Sequence, residues 1–410
     1  MFRSRSFLSV ALAAILSHAV FAGPPELDAA IDAIAPELKK WASVCVITTQ
    51  PDGAPKFTWQ EYAKSGDVTD FWPASAIKLY AAVAALELLT ERDFPLETAV
   101  IFEHRAPDGG WVLDGARSMT EMLHAVFHHS SNVDYTLLLR MVGIDRINTQ
   151  FLTSERGFPH SALMRGYVLG RPYGYVREEP QRITLRTADG SKTATYEHAW
   201  SGRFYAEERG FPHSALMRGY VLGRPYGYVR EEPQRITLRT ADGAKTATFE
   251  HSWSGRFYAA ERGGTIIDAR TGNVTSAREM AECLRRVLFH EHLPEVERYR
   301  LTAAQLAFLR SGGGGLTGLE TTATDSDPMA WKDAIDGVFP KARFFHKCGV
   351  ISNYALDLAA VDDSAQSGTR FILVPVVNAG EATTPERGQT FIRQMSRAIA
   401  QWVRSAPPGL

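Results

Sequence analysis

The chain has 410 residues, with 45 Lys+Arg against 46 Asp+Glu and a formal net charge of −1. That balance leaves no basic surplus to draw a nucleic-acid backbone and no acidic block to keep a tail disordered. Hydrophobic residues make up 45% and charged residues 22%, ordinary globular usage that can bury a core without disulfides or metal; the three cysteines, an odd number, exclude a disulfide scaffold.

The first segment reads as an export signal. Arg3 and Arg5 precede an apolar run over residues 7–16, and Val20 and Ala22 are small residues where a signal peptidase would cut, after Ala22. Ten apolar residues are too few to span a bilayer, which takes roughly 20. A periplasmic or secreted protein is expected, with no membrane anchor after cleavage.

Residues 26–42 have helical spacing. Residues 43–49 are apolar and β-branched, and Pro51-Asp52-Gly53 then leads into a second strand over 56–62, which predicts an antiparallel hairpin. Residues 76–91 form a strongly apolar helix. Ser118-Met119-Thr120-Glu121 matches a capping box opening a helix to about 128, and 132–142 reads as another.

A tandem repeat follows. Residues 209–261 repeat 156–208 at 49 of 53 positions, differing only at Ser191/Ala244, Tyr196/Phe249, Ala199/Ser252 and Glu207/Ala260. Two copies fall short of the three or so a solenoid needs, so this is a duplication inside one loop region. Each copy contains two alternating runs around Ala-Asp-Gly, which predicts a hairpin. Beyond it, helices are expected at 276–289 and 302–311, three strands from Ala342 to Asn378, and a helix at 390–404. Strands at both ends and helices between them give a mixed α/β chain, a sheet built from both termini with an inserted helical domain.

Three short motifs carry candidate chemistry. Ser75-Ala76-Ile77-Lys78 opens the apolar helix, so Ser75 and Lys78 share a face one turn apart. Burial lowers a lysine's pKa and makes it a usable base for a hydroxyl, though a serine here could equally be an N-cap. Among ten lysines only Lys78 has a serine three residues earlier. Ser130-Ser131-Asn132, between two helices, offers a second hydroxyl and an amide, or simply a helix cap. His346-Lys347-Cys348-Gly349 ends an apolar strand, with a fixed positive charge beside a glycine that permits close approach, or an edge-strand lysine and nothing more. His128-His129 and His290-Glu291-His292 lack the paired spacing of a helical zinc site, so no metal is expected. Asn273-Val274-Thr275 matches a glycosylation acceptor.

In this order the motifs resemble S-x-x-K, S-x-N and K-T-G of the serine penicillin-recognising family, most of all its class A β-lactamase branch. Residues 73–89, 118–143 and 273–288 are similar to the stretches around its motifs, and the likeness covers roughly 25–155 and 265–405. It implies a five-stranded antiparallel sheet flanked by helices plus an all-helical domain, the site lying between them. Residues 23–72 and 335–410 would form the sheet domain, 73–154 and 262–334 the helical domain, and 155–261 the duplicated insertion near the Ω-loop position. Ser75 would be the acylated nucleophile, Lys78 its base and Ser130 the proton donor to the leaving nitrogen. Asn132 would hold the acyl amide and Lys347 the substrate carboxylate, with Gly349 beside it, and the Ser75 and Val350 N–H groups would form an oxyanion hole. No cofactor is implied, and the partner would be a small-molecule β-lactam or cell-wall peptide bound by a monomer.

Three departures stand out. Cys348 stands at the substrate-binding position of the K-T-G threonine, and because a thiol is a weak donor one hydroxyl contact to the substrate carboxylate would be lost. Ser131 replaces the Asp of S-D-N. The R-x-E-P of the Ω loop is matched only by Arg177-Glu178-Glu179-Pro180 and its twin Arg230-Glu231-Glu232-Pro233, making Glu179 and Glu232 candidate bases for the deacylating water. Without such a base the chain would act as a slowly deacylating peptidase or esterase, or as a non-catalytic penicillin or cell-wall sensor.

Overall fold

The computed structural model describes residues 25–166, 180–209, 234–252, 272–321, 332–351, 354–379 and 385–405. The export signal, Glu179 and Glu232 lie outside them. Among the described residues, no helix is long and apolar enough to cross a membrane.

Both ends of the chain build one antiparallel sheet. β1 (Lys39–Thr49) and β2 (Pro55–Glu61) come from the N-terminal part. They pair with β9 (Arg343–Ile351), β10 (Tyr354–Asp363) and β11 (Thr369–Asn378) from the C-terminal part, in the order β2-β1-β11-β10-β9. β1 is apolar on both faces because both are covered. Trp41, Cys45 and Ile47 join the larger core toward the helices, while Ala42, Val44 and Val46 join a second core. A strand buried on two sides reads as a continuous apolar run, without alternation.

The expected helix over 26–42 is shorter. α1 (Pro25–Asp32) ends at Asp32, and Lys39 already pairs with Asn378. Pro36 disfavours helix at Ala35, which takes φ 43°. Cross-strand pairing then claims Lys39–Ala42 in place of the helical spacing.

A 3-10 turn (Ala74–Ile77) leads into α2 (Lys78–Glu91), in which every residue from Lys78 to Leu89 is buried. A helix apolar all round can only sit inside a core. β3 (Ala99–Arg105) and β4 (Trp111–Ser118) follow, two strands beyond the expected elements. Ser118 then closes the expected capping box with Glu121 and opens α3 (Met119–His128), and α4 (Asn132–Val142) comes next.

The two repeat copies have different fates. In the first, β5 (Gln181–Arg186) pairs with β3, and β6 (Thr193–His198) completes a sheet of order β4-β3-β5-β6. The helical lobe therefore carries a four-stranded sheet as well. In the second, β7 (Gln234–Arg239) and β8 (Thr246–His251) form a separate two-stranded sheet. A buried network anchors the first copy: Arg140 of α4 donates to Gln181 Oε1 at 2.8 Å and to Asp114, and Asp114 also meets His104 Nδ1 at 2.9 Å.

α5 (Ala277–Leu288) and α6 (Ala303–Ser311) start at side-chain caps, Ser276 and Thr302. β9 (Arg343–Ile351), β10 (Tyr354–Asp363), β11 (Thr369–Asn378) and α7 (Pro385–Ser405) end the chain as expected. α7 and α1 cover the outer face of the sheet, where Leu27, Ile31, Ile392, Met395 and Ile399 pack with Val44, Phe371 and Leu373. Cys45, Cys283 and Cys348 are buried, and none of them is in a disulfide. Asn273 is 1% exposed and its amide donates to Tyr135 Oη at 2.9 Å, which puts this acceptor out of reach of glycosylation in the folded chain.

Candidate active site

The three motifs converge where β9 meets the start of α2 and the turn between α3 and α4. Ser75 lies in the 3-10 turn and keeps some exposure, while Lys78 behind it is fully buried. No side chain caps this turn or α2, so Ser75 is not occupied as an N-cap. The residue before it, Ala74, has φ 45°. A non-glycine residue in that region costs of order 1–3 kcal/mol and persists only where the surroundings enforce it.

Ser130-Ser131-Asn132 divides its work. Ser131 is the cap of α4: its hydroxyl accepts from the Asp134 amide at 3.2 Å and donates to the Asp134 carboxylate. Asp134 also takes a two-pronged contact from Arg117 at 2.8 and 3.1 Å. The neighbours of Ser131 turn the other way. Lys78 Nζ donates to the Ser130 carbonyl, to Ser130 Oγ at 3.2 Å and to Asn132 Oδ1 at 2.8 Å. Ser130 has φ 51°, the second left-handed non-glycine residue at this place.

Lys347 arrives from the edge strand β9. Its Nζ donates to Ser130 Oγ at 2.9 Å, so Ser130 Oγ stands between two lysine nitrogens. Gly349 brings β9 against the helix start. A Cβ there would lie 2.9 Å from the Pro73 carbonyl oxygen and 3.0 Å from the Ser75 nitrogen, closer than side chains tolerate. Strand alternation explains the rest of the motif. Lys347 and Gly349 face the helical lobe, whereas Cys348 is 1% exposed and packs in the outer core with Phe344, Ala355 and Ala359. The Val350 side chain is half-buried against the same outer core. Cys348 is thus carried away from the position expected of a substrate-contacting side chain, because one residue along a strand reverses the face.

The electrostatics follow from burial. Desolvation, and secondarily the positive charge of Lys347, lower the Lys78 pKa from 10.5 to about 6. Near neutral pH Lys78 is an uncharged amine that keeps two N–H donors for the Ser130 carbonyl and Asn132 Oδ1 and turns its lone pair toward a hydroxyl, with Lys347 as the neighbouring cation. The arrangement can remove a proton from one hydroxyl, relay it through another and hold an anionic group.

Two features escaped sequence reasoning. The strain at Ala74 and Ser130 has no signature in the residue types. His124 and His128 do show spacing of four, and they stack with ring centroids 5.1 Å apart. His124 Nδ1 accepts from the Thr317 amide at 2.9 Å, which leaves His124 serving the backbone. Among the described residues no group of three His, Cys, Asp or Glu side chains is arranged to hold a metal ion.

No family model matches the chain, and no curated protein matches it. Solved structures do resemble it at low identity. A β-lactamase from Sphaerobacter thermophilus DSM 20745 is 13% identical over 93% of this chain and 98% of that one, with a TM-score of 0.47. A class A β-lactamase representative from Bacteroides cellulosilyticus DSM 14838 is 13% identical over 93% and 98%, TM-score 0.49. A point mutant of PBP-A, solved as its acyl-enzyme complex with penicillin G, is 15% identical over 93% and 97%, TM-score 0.48.

Proposed function

We propose that this chain is an exported serine acyl-transfer enzyme of the penicillin-recognising type, opening β-lactams or related amides through an acyl-Ser75 intermediate. The observation that carries the reading is the hydrogen-bonded set Lys78–Ser130–Lys347, with Asn132 on the same lysine and Gly349 against the Ser75 amide. Lys78, neutral at pH 7, accepts the Ser75 hydroxyl proton. Ser75 Oγ then attacks the amide carbonyl, and the oxyanion is held by the N–H groups of Ser75 and Val350. As the carbon–nitrogen bond breaks, Ser130 gives its proton to the leaving nitrogen and is reprotonated from the Lys78 ammonium. Lys347 keeps the Ser130 oxygen acidic and attracts a substrate carboxylate. Asn132 fixes Lys78 and receives the acyl amide. The second half-reaction, water releasing the acyl group, needs a base, and Glu179 and Glu232 are the candidates that the sequence offers.

Intact-protein mass measurement after mixing with a penicillin tests this reading. An adduct of one penicillin that appears and decays identifies hydrolysis, and one that persists identifies an acylated penicillin-binding protein. No adduct, or an adduct undiminished in Ser75→Ala, overturns the proposal.

A further inference from the structure

The two repeat copies present the same hairpin in opposite situations. In the first, Ile183 and Leu185 are fully buried and Tyr196 packs against the main core. In the second, the equivalent residues Ile236, Leu238 and Phe249 are 38%, 59% and 47% exposed. The second hairpin is nevertheless already folded in the register of the first: Ile236 opposes Phe249 as Ile183 opposes Tyr196. Its cross-strand threonine pair, Thr237–Thr248 at 3.0 Å, repeats Thr184–Thr195 at 2.8 Å. It is a finished hairpin holding out the apolar face that its twin buries.

We propose that the slot beside β3 is a binding site for either hairpin, and that the second copy exchanges with the first within one molecule. The slot reads side chains that both copies carry. Arg140 takes Gln181 Oε1, and the second copy has Gln234. The Arg140 carbonyl meets His198 Nε2 at 2.6 Å, and the second copy has His251. Asp93 takes Lys192 at 2.9 Å, and the second copy has Lys245. Backbone pairing with β3, which runs from Ala99↔Arg186 to His104↔Gln181, asks for no particular side chain and would become Ala99↔Arg239 to His104↔Gln234.

One atom separates the two occupants inside the slot. Tyr196 Oη donates to the Met141 carbonyl at 2.6 Å, under the Arg92 guanidinium 3.9 Å from the ring. Phe249 keeps the ring and lacks the hydroxyl. The other difference within the hairpin, Ser191 against Ala244, lies in the exposed turn. Either arrangement leaves one of two hairpins outside the sheet, and the repeats that carry them are equally long, so the loop-closure entropy is equal. The first copy should therefore hold the slot over the second by the worth of one hydrogen bond, roughly three- to tenfold. Exchange within the molecule outruns exchange between molecules because the tethered hairpin has an effective concentration on the order of millimolar. This inference is independent of the chemistry at Ser75.

Hydrogen exchange read by mass tests it, because Ser191/Ala244 and Tyr196/Phe249 give the two hairpins distinguishable peptides. In the parent the 181–198 peptide should be the more protected. In the double variant Tyr196→Phe, Phe249→Tyr the protection should move to 234–251. A double variant in which 181–198 stays the protected hairpin overturns the proposal. A disulfide trap gives an independent reading: Ile101 faces Thr184, so Ile101→Cys with Thr237→Cys should cross-link within monomers, about three- to tenfold less than Ile101→Cys with Thr184→Cys. Cross-linking of the Thr184 pair alone, or of the Thr237 pair only as dimers, would rule out exchange within the molecule.

Discussion

Gly349 of β9 lies so close to Ser75 that a Cβ on it would stand 3.0 Å from the Ser75 nitrogen. The edge strand and the start of the buried helix pack closely here, and the placement of Ser75, the proposed nucleophile, and of its backbone N–H depends on that approach. Gly349→Ala should push the strand from the turn and lower penicillin acylation about a hundredfold, the scale of a misplacement near 1 Å. The stopped-flow acylation rate is the measurement. An unchanged rate would show that the strand end does not help to position Ser75.

Acylation should also follow the protonation of Lys78. The amine must be neutral to accept a proton, so the rate should rise with pH through about 6 and level off above it. Removing the positive neighbour in Lys347→Met should raise the Lys78 pKa and move this limb to higher pH. A pH profile flat from 5 to 8 would remove Lys78 as the base.

The same lysine contributes to stability. Its folded pKa of about 6 lies below the 10.5 of the unfolded chain. Between those values the unfolded chain binds the extra proton, so this group's contribution to stability rises with pH across that window. Lys78→Met should flatten the part of the slope due to this group, as read by urea titrations at pH 6.5, 7.5 and 8.5. An unaltered slope would mean that Lys78 stays charged in the fold.

Cys348 packs in the outer core, so a thiol reagent should fail to modify it until the protein unfolds. Cys348→Thr should leave acylation within about threefold while lowering stability by about 1–3 kcal/mol, the cost of a hydroxyl among apolar side chains. A tenfold gain in kcat/KM toward a carboxylate-bearing β-lactam would place this side chain in the cleft instead.

Deleting either repeat copy should leave a folded protein, since each supplies the same hairpin. The variant lacking 209–261 keeps Tyr196 and should melt within about 4 °C of the parent. The variant lacking 156–208 must use Phe249 and should be less stable than its sister by about 1 kcal/mol, one hydrogen bond. Equal melting of the two would mean that the Tyr196–Met141 contact contributes nothing.

The sequence by itself determined most of the elements and the order of the motifs, for local physical reasons. The capping box at Ser118–Glu121, the turn residues of both hairpins and the apolar runs of β1, β10 and β11 are signals written in a few adjacent residues. The spacing of three between Ser75 and Lys78 likewise fixed their common face. Tertiary structure alone decided the rest. The residue types at Ser130-Ser131-Asn132 allow all three to cap a helix, and only the position of Lys78 sends Ser130 and Asn132 toward the amine while Ser131 keeps the cap. Cys348 follows Lys347 in sequence, yet strand alternation sends it to the other core. Helical spacing over 26–42 yielded at Lys39 to pairing with a strand more than 300 residues away. Two hairpins of nearly one sequence ended in different places because β3 has room for one partner on that edge. Local propensity is the same in both copies, and the long-range contact is what distinguishes them.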